Sequence, residues 1–152
     1  MFGNVGFASI GYSDSEQGKA PIFGGGAAFD LTRHLVVDGE VHGARVRHVF
    51  GRLDHDFTEL TVTGSLLYRA FADRRVHFLA GGGLGFQRAH SAFTVDPVGA
   101  VDRTETIRLW HWRAGPDWGV SNRTVIRTEA VFWFGEGLDW VTGGRVTVGY
   151  RF

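Results

Sequence analysis

The chain closes with Trp140–Phe152, WVTGGRVTVGYRF, in which apolar and polar side chains alternate. Successive side chains of a β-strand point to opposite faces, so this alternation indicates an extended strand with two unlike faces. One face carries Val146, Val148, Tyr150 and Phe152. Arg145 lies on the other face. The segment is therefore predicted to be an amphipathic strand with one apolar surface.

The same period of two recurs upstream, and the connections between the alternating segments differ in length. Tight connections at 32–34, 72–75 and 121–123 alternate with longer polar ones at 13–19, 50–56 and 92–105. Alternating short and long connections are typical of consecutive antiparallel hairpins. The first segment has mixed parity, for which we predict a bulge near Ala8. We predict an all-β fold, an eight-stranded antiparallel up-and-down transmembrane barrel, as a single domain over residues 1–152.

Composition narrows the class of protein. The 152 residues include 23 Gly, 16 basic and 16 acidic side chains, and no Cys. This length suits one domain, and the balanced charge argues against a nucleic-acid partner. The lack of Cys excludes disulfides, thiolate metal sites and cysteine nucleophiles. No apolar run reaches the roughly 18 residues that a transmembrane helix needs.

The two faces of the strands differ enough to predict which one lines the barrel. A soluble barrel of the lipocalin type has an apolar interior, whereas a membrane barrel has an apolar outer band and a polar lumen. Trp110, Trp112 and Trp118 share one face of one strand and are too bulky for a narrow interior. We therefore predict a polar lumen filled by side chains. Its charge network is predicted to comprise Asp38, Glu40, Glu59, Arg69, His111, Arg113, Asp117, Arg127, Glu129 and Arg145.

Within this network we expect each arginine to be paired with a carboxylate. We expect the carboxylates of Glu129, Glu59 and Glu40 to form ion pairs with Arg127, Arg145 and Arg113. Glycines on the same faces, such as those of Gly81–Gly85, are expected to leave room for larger side chains from other strands.

The end of the chain is similar to the C-terminal insertion signal of bacterial outer-membrane proteins, with Tyr150 third from the end and Phe152 last. Over nearly its full length the chain resembles the OmpA-like and OmpX-like small outer-membrane barrels. The resemblance implies a bacterial outer-membrane location, insertion by the barrel assembly machinery, periplasmic short turns and extracellular long loops. Met1–Asn4 lacks the features of a signal peptide. We therefore expect the chain to be the mature form.

Catalysis and metal binding are not predicted. The family that the chain resembles includes non-enzymatic anchors and adhesins, and also lipid A deacylases with a His-x-Ser pair. Here His90 and Ser91 are adjacent, so on a strand they point to opposite faces. The segment 81–86 lacks the last glycine of a dinucleotide loop. Residues 48–56 contain metal-ligand types without a recurring zinc spacing. We predict no enzyme, no cofactor and no metal.

Four arginines have the parity of the apolar face but lie at the long-loop ends of their strands: Arg45, Arg47, Arg88 and Arg108. An outward Arg costs about 2 to 4 kcal/mol at mid-bilayer and almost nothing at the interface. We therefore place these side chains at the headgroup level, where they could bind lipopolysaccharide phosphates or simply snorkel. Expected partners are outer-membrane lipid and an extracellular or envelope protein.

The leading prediction for function is a non-enzymatic outer-membrane barrel that presents extracellular loops or anchors the envelope. A narrow pore and a soluble lipocalin-like ligand-binding barrel are the alternatives. Eight strands disfavour the pore because side chains fill so narrow a lumen.

Overall fold

The structure, a computed structural model, describes residues 1–11, 17–50, 53–95, 99–135 and 138–150. All of its regular elements are β-strands. They are β1 (Phe2–Gly11), β2 (Gln17–Asp30), β3 (Leu35–Phe50), β4 (Leu53–Ala70), β5 (Val76–Val95), β6 (Gly99–Gly119), β7 (Thr124–Gly135) and β8 (Leu138–Tyr150). Among these residues there is no helix long and apolar enough to cross a membrane.

The strands form a closed barrel in which each strand is antiparallel to its neighbours in sequence and β8 pairs with β1. The prediction of an all-β, up-and-down barrel of eight strands is confirmed. The bulge expected near Ala8 was wrong: the registers of β1 with β2 and β8 run without a shift from Phe2 to Gly11. A register shift lies instead between Trp133 and Gly135, where β7 meets β8.

The strands differ in length, and two predicted long loops were wrong. β5 and β6 contain 20 and 21 residues, whereas β7 contains 12. Most of the segment 92–105 is paired strand, with Ala92 opposite Asp102. Most of 50–56 likewise belongs to the β3–β4 ladder, in which Phe50 lies opposite Leu53. These polar segments continue the barrel strands because backbone pairing does not require an apolar face.

Two of the predicted tight turns are held by a hydroxyl at their first position. Thr32 Oγ1 accepts from the backbone N–H groups of His34 and Leu35 at 3.1 and 3.0 Å. Ser121 Oγ accepts in the same way from Arg123 and Thr124 at 3.2 and 3.0 Å. Short Ser and Thr side chains can replace backbone turn hydrogen bonds, which explains these residues at these positions.

Burial alternates along the strands as the sequence alternates. On β6, Leu109, His111, Arg113 and Asp117 are buried, and Trp110 and Trp112 between them are each 63% exposed. The exposed outer face carries large apolar side chains on the other strands as well, among them Phe23, Phe29, Val41, Leu60, Val62, Leu66, Tyr68, Phe78, Leu84, Phe86, Phe132, Phe134, Val146, Val148 and Tyr150. Trp110 lies opposite Phe134, and Trp112 opposite Phe132, so β6 and β7 carry two adjacent aromatic pairs on the outer face.

Glycines on β5 allow the wall to pack closely. A Cβ built on Gly83 would collide with the carbonyl oxygen of Gly64 and lie 2.8 Å from His111 Cε1. A Cβ built on Gly81 or Gly85 would likewise collide with a carbonyl oxygen of the neighbouring strand β4. The backbone itself therefore occupies the space that a side chain would need.

We expect Gly83→Ala to lower the free energy of unfolding by about 1 to 3 kcal/mol, because the added methyl must displace backbone. Gly39→Ala is the matched control, since its Cβ would meet nothing closer than the Thr63 carbonyl oxygen at 3.9 Å. Equilibrium unfolding in lipid vesicles measures both. Equal stabilities for the two variants would contradict the close packing at Gly83.

Candidate functional site

A layer of charged side chains crosses the barrel interior. Arg113, on β6, contacts Asp38 and places Nη1 2.8 Å from Glu40 Oε1. Its side chain is 1% exposed, and those of the two carboxylates are 0% and 2% exposed. The guanidinium therefore joins β6 to β3 across the lumen.

Arg145, on β8, extends the layer to β7 and β8. Its Nη1 donates to Glu40 Oε2 at 2.6 Å and its Nε to Glu129 Oε2 at 2.7 Å. The carboxylate of Glu40 thus accepts hydrogen bonds from two arginines on two different strands. Charge-assisted hydrogen bonds of this length are among the strongest polar contacts in proteins.

Glycines on neighbouring strands make room for these long side chains. Glu40 lies opposite Gly26, and Arg113 lies opposite Gly81. Arg145 is flanked by Gly6 on β1. The glycine content of the chain and its lumen arginines are therefore two parts of one arrangement, since residues without side chains give the interior the space that charged ones fill.

Arg127 is held differently from the other two arginines. Its Nη1 lies 3.6 Å from Glu129 and 3.9 Å from Asp38, and its Nη2 lies 3.9 Å from Asp117. These distances allow Coulombic attraction but exceed hydrogen-bond length. In the part of the chain that the structure describes, Arg127 Nε and Nη1 have no hydrogen-bond partner.

Two expected members of the layer belong elsewhere. Glu59 was expected to serve an arginine, but it accepts from Gln87 Nε2 at 2.5 Å. Arg69 donates to Asp30 near the short-turn end, at 2.6 and 3.1 Å. Period two predicts which face a residue lies on, but not its height along the barrel.

His111 also has a neutral partner, since its Nε2 lies 2.8 Å from Ser65 Oγ. Ser65 and Gln87 were not among the predicted site residues, although both share the polar parity of their strands. Voids of about 10 and 20 Å³ lie beside His42 and Trp133. Each has room for about one water, so side chains fill this part of the lumen.

The four arginines predicted at the long-loop end of the barrel, called the rim below, have different surroundings. Arg45 is paired with Asp56, with a closest N–O distance of 2.5 Å, and the side chain of Arg47 lies outside the described residues. Arg88 and Arg108 are exposed, and no described carboxylate lies within ion-pair distance of either. The two arginines are not directly opposite each other, because Arg88 pairs with Thr106 and Arg108 with Phe86. They are diagonal neighbours, about 7 to 8 Å apart.

The exposed cluster around His90 does not have the geometry of a catalytic triad. His90 Nδ1 lies 3.1 Å from Thr104 Oγ1 and 3.2 Å from Asp102 Oδ1. A triad needs the hydroxyl and the carboxylate on different ring nitrogens, so that one orients the base and the other gives it a proton. Here both contacts use the same nitrogen.

The apolar face of the predicted insertion signal is exposed at Val146, Val148 and Tyr150, and Phe152 lies outside the described residues. Across the described segments, no cluster of three metal-ligating side chains is found.

Comparison with solved structures identifies the architecture. The chain is similar to Ail, the attachment invasion locus protein of Yersinia pestis, solved with the heparin analogue sucrose octasulfate. The two share 19% identity over 99% of this chain and 97% of Ail, with a TM-score of 0.64. Neisserial surface protein A is 16% identical over 98% of this chain and 92% of its own, with a TM-score of 0.67.

The fold is that of a small outer-membrane β-barrel. This fold also carries an enzyme: the outer membrane enzyme PagL is 12% identical over 97% of both chains, with a TM-score of 0.55. No protein family and no curated protein matches the sequence.

Proposed function

We propose that the chain is a non-enzymatic integral barrel of the bacterial outer membrane that presents a sheet above its rim to an extracellular or envelope partner. The observation that carries the proposal is the distribution of burial: guanidinium and carboxylate groups are buried inside, and large apolar side chains are exposed outside. A bilayer solvates such an exterior, and the closed ladder pairs the backbone groups that lipid cannot satisfy. Insertion would follow the route of this fold, through the barrel assembly machinery.

The presented surface is the part of β3–β6 that lies towards the long-loop end of the barrel, beyond the apolar band. A 20-residue strand is about 66 Å long and rises about 47 Å when tilted by 45°, against an apolar band of about 25 Å. Pairing of β6 with β7 begins at Leu109 opposite Gly135, where β7 ends. Gly99–Thr106 therefore extends beyond its neighbour as an edge strand.

This edge suits a partner that binds in an extended conformation. Edge strands offer unpaired backbone N–H and C=O groups, which a second chain can continue as a further strand. Asp102, Arg103 and Glu105 put charges of both signs along the edge, and all three are exposed. Charged side chains of this kind limit unspecific pairing and select a complementary partner.

Single-cysteine labelling tests the proposal directly, because the natural chain contains no Cys. Val101→Cys, on the protruding part of β6, is expected to react with a membrane-impermeant maleimide on intact cells. Asp73→Cys, in the tight turn at the other end, is the matched control and is expected to react only after lysis. Labelling of Asp73→Cys but not Val101→Cys on intact cells would reverse the orientation, and recovery of the chain outside the membrane fraction would refute the proposal.

Of the four arginines at the long-loop ends, Arg88 and Arg108 are proposed to bind phosphate groups of lipopolysaccharide. Arg108 lies two residues beyond Trp110 towards the long-loop end of β6, next to the Trp110–Phe134 pair, and this position supports a site at the border of the apolar belt. The two residues are diagonal neighbours about 7 to 8 Å apart on adjacent strands, and long Arg side chains from such positions can donate to one phosphate group. The binding of sucrose octasulfate by Ail supports anionic sugars as ligands of this fold.

The double variant Arg88→Ala/Arg108→Ala is expected to lose most of the rise in Tm that lipopolysaccharide gives the protein, because two phosphate-binding groups are removed. Its Tm in phosphate-free detergent should stay close to that of the unaltered protein. Thermal unfolding with and without lipopolysaccharide measures the effect. Arg74→Ala/Arg75→Ala, which removes two exposed arginines at the opposite end, is the control and should keep the full rise. Retention of that rise by the Arg88/Arg108 variant would show that these arginines only snorkel.

A further inference from the structure

Two histidines lie opposite each other on the hairpin formed by β3 and β4. His48 and His55 belong to the segment 48–56, in which the spacing of metal-ligand residue types matches no recurring zinc motif. The register brings these two residues together, because His48 pairs with His55 in the ladder that ends with Phe50 opposite Leu53. Across the registers of the described strands, no other histidine lies opposite a histidine. Strand pairing therefore creates a histidine pair that spacing along the chain does not reveal.

Both histidines belong to the face of the sheet that continues the lumen wall. Successive residues of a strand alternate between its two faces. His48 has the parity of His42 on β3, and His55 has the parity of Glu59 on β4; His42 and Glu59 are buried in the lumen. The pair lies four residues beyond Glu59 towards the long-loop end of β4, and thus away from the charged layer.

The register of this pair is suited to the chelation of a metal ion. Directly opposite residues of an antiparallel pair have Cβ atoms about 4.5 to 5.5 Å apart, and two imidazoles at that separation can both ligate one ion at about 2.1 Å. Two residues separate Phe50 from Leu53, and so short a connection fixes the register of a hairpin. The backbone therefore places the two histidines together before an ion binds.

The residue types of the pair select the class of ion. Asp54 and Asp56 are on the same hairpin but have the opposite parity, and Asp56 is paired with Arg45 at 2.5 Å. Two imidazoles without a carboxylate favour transition-metal ions, whereas Mg²⁺ and Ca²⁺ require oxygen ligands. Among the divalent first-row metals, Cu²⁺ binds such nitrogen sites most tightly.

We propose that His48 and His55 bind one divalent transition-metal ion, Cu²⁺ most tightly, through one nitrogen of each ring, with water in the remaining positions. The proposal replaces the expectation, based on spacing alone, that the chain binds no metal. It goes beyond the proposed function and does not depend on it, because the register of the hairpin is the same whichever partner the sheet binds.

Titration of the untagged full chain in lipid nanodiscs with Cu²⁺, supplied as its glycine complex, tests the proposal by calorimetry. We expect saturable binding of one ion per chain, weaker binding of Ni²⁺ and Zn²⁺, and no binding of Mg²⁺ at the same concentrations. The electron paramagnetic resonance spectrum of the bound Cu²⁺ should show coupling to two imidazole nitrogens. Absence of saturable Cu²⁺ binding, or equal binding of Mg²⁺, would overturn the proposal.

Three variants locate the site. His48→Gln and His55→Gln are each expected to weaken Cu²⁺ binding about ten-fold or more, because the remaining imidazole then binds the ion without a linked second ligand. His90→Gln is the matched control, since His90 also lies towards the long-loop end but pairs with Thr58 and Thr104, and it should bind Cu²⁺ as the unaltered chain does. Unchanged binding by either His48→Gln or His55→Gln, or an equal loss in His90→Gln, would refute the pair as the site.

Discussion

Arg145→Met is expected to lower the free energy of unfolding in lipid by about 3 to 5 kcal/mol. The substitution removes the donor that lies 2.6 Å from Glu40 and 2.7 Å from Glu129, and both carboxylates are buried. Among the described side chains, Glu40 then keeps Arg113 as its ion-pair partner, and Glu129 keeps arginines at 3.6 and 3.8 Å. Equilibrium urea unfolding in phospholipid vesicles, followed by tryptophan fluorescence, measures the loss.

The double variant Arg145→Met/Glu129→Met should be more stable than the single variant, because it removes one charge of each sign and leaves less charge unpaired. Arg33→Met provides the control, since Arg33 pairs with Asp73 on the surface, where both side chains are mostly exposed. Such a pair contributes less than about 1 kcal/mol. A loss below 1 kcal/mol for Arg145→Met, or a double variant less stable than the single, would show that the layer does not act as a paired unit.

Ala130→Arg should lower stability in a bilayer by about 2 to 4 kcal/mol. Ala130 is exposed on the outer face of β7, with Ala114 and Gly144 opposite it on the neighbouring strands. Small residues on both sides offer no carboxylate to the new guanidinium, which would lie in the middle of the apolar belt. The same vesicle unfolding assay gives the value.

Two further variants separate the effects of charge, side-chain size and depth in the bilayer on stability. Ala130→Leu keeps the site apolar and should be close to neutral. Val120→Arg adds the same charge just after the end of β6 and should cost about 0 to 1 kcal/mol, because the interface solvates it. If Ala130→Arg is tolerated while Ala130→Leu is costly, the outer face of β7 does not contact lipid.

Strand number, topology and the face on which the described lumen charges lie could be predicted because all three follow from alternation. Arg113, Arg145 and Glu129 were assigned to one face by parity alone, and the structure brings them together. Glu59 shares the polar parity of its strand, but it lies opposite Ala44, four residues beyond Glu40 on β3. The pairing partner of each charge depends on register, and the sequence carries no direct signal for register between distant strands.

The hairpins above the rim were less predictable for a related reason. The segment 99–105 is polar and has no apolar face, so it was assigned to the predicted loop 92–105. All of its residues are exposed, and backbone pairing with β5 alone makes it a strand. A strand without a buried face leaves no periodic pattern in its side chains.

This makes β6 one continuous strand with two different degrees of mutational tolerance. From Leu109 to the end of β6, every second side chain is buried. A substitution there must therefore fit either the polar, packed lumen or the apolar outer face. From Gly99 to Thr106 both faces are exposed, and the backbone pairing with β5 imposes few demands beyond the exclusion of proline. The upper half of β6 can therefore diversify in sequence, and so change what it recognises, while the lower half keeps the barrel intact.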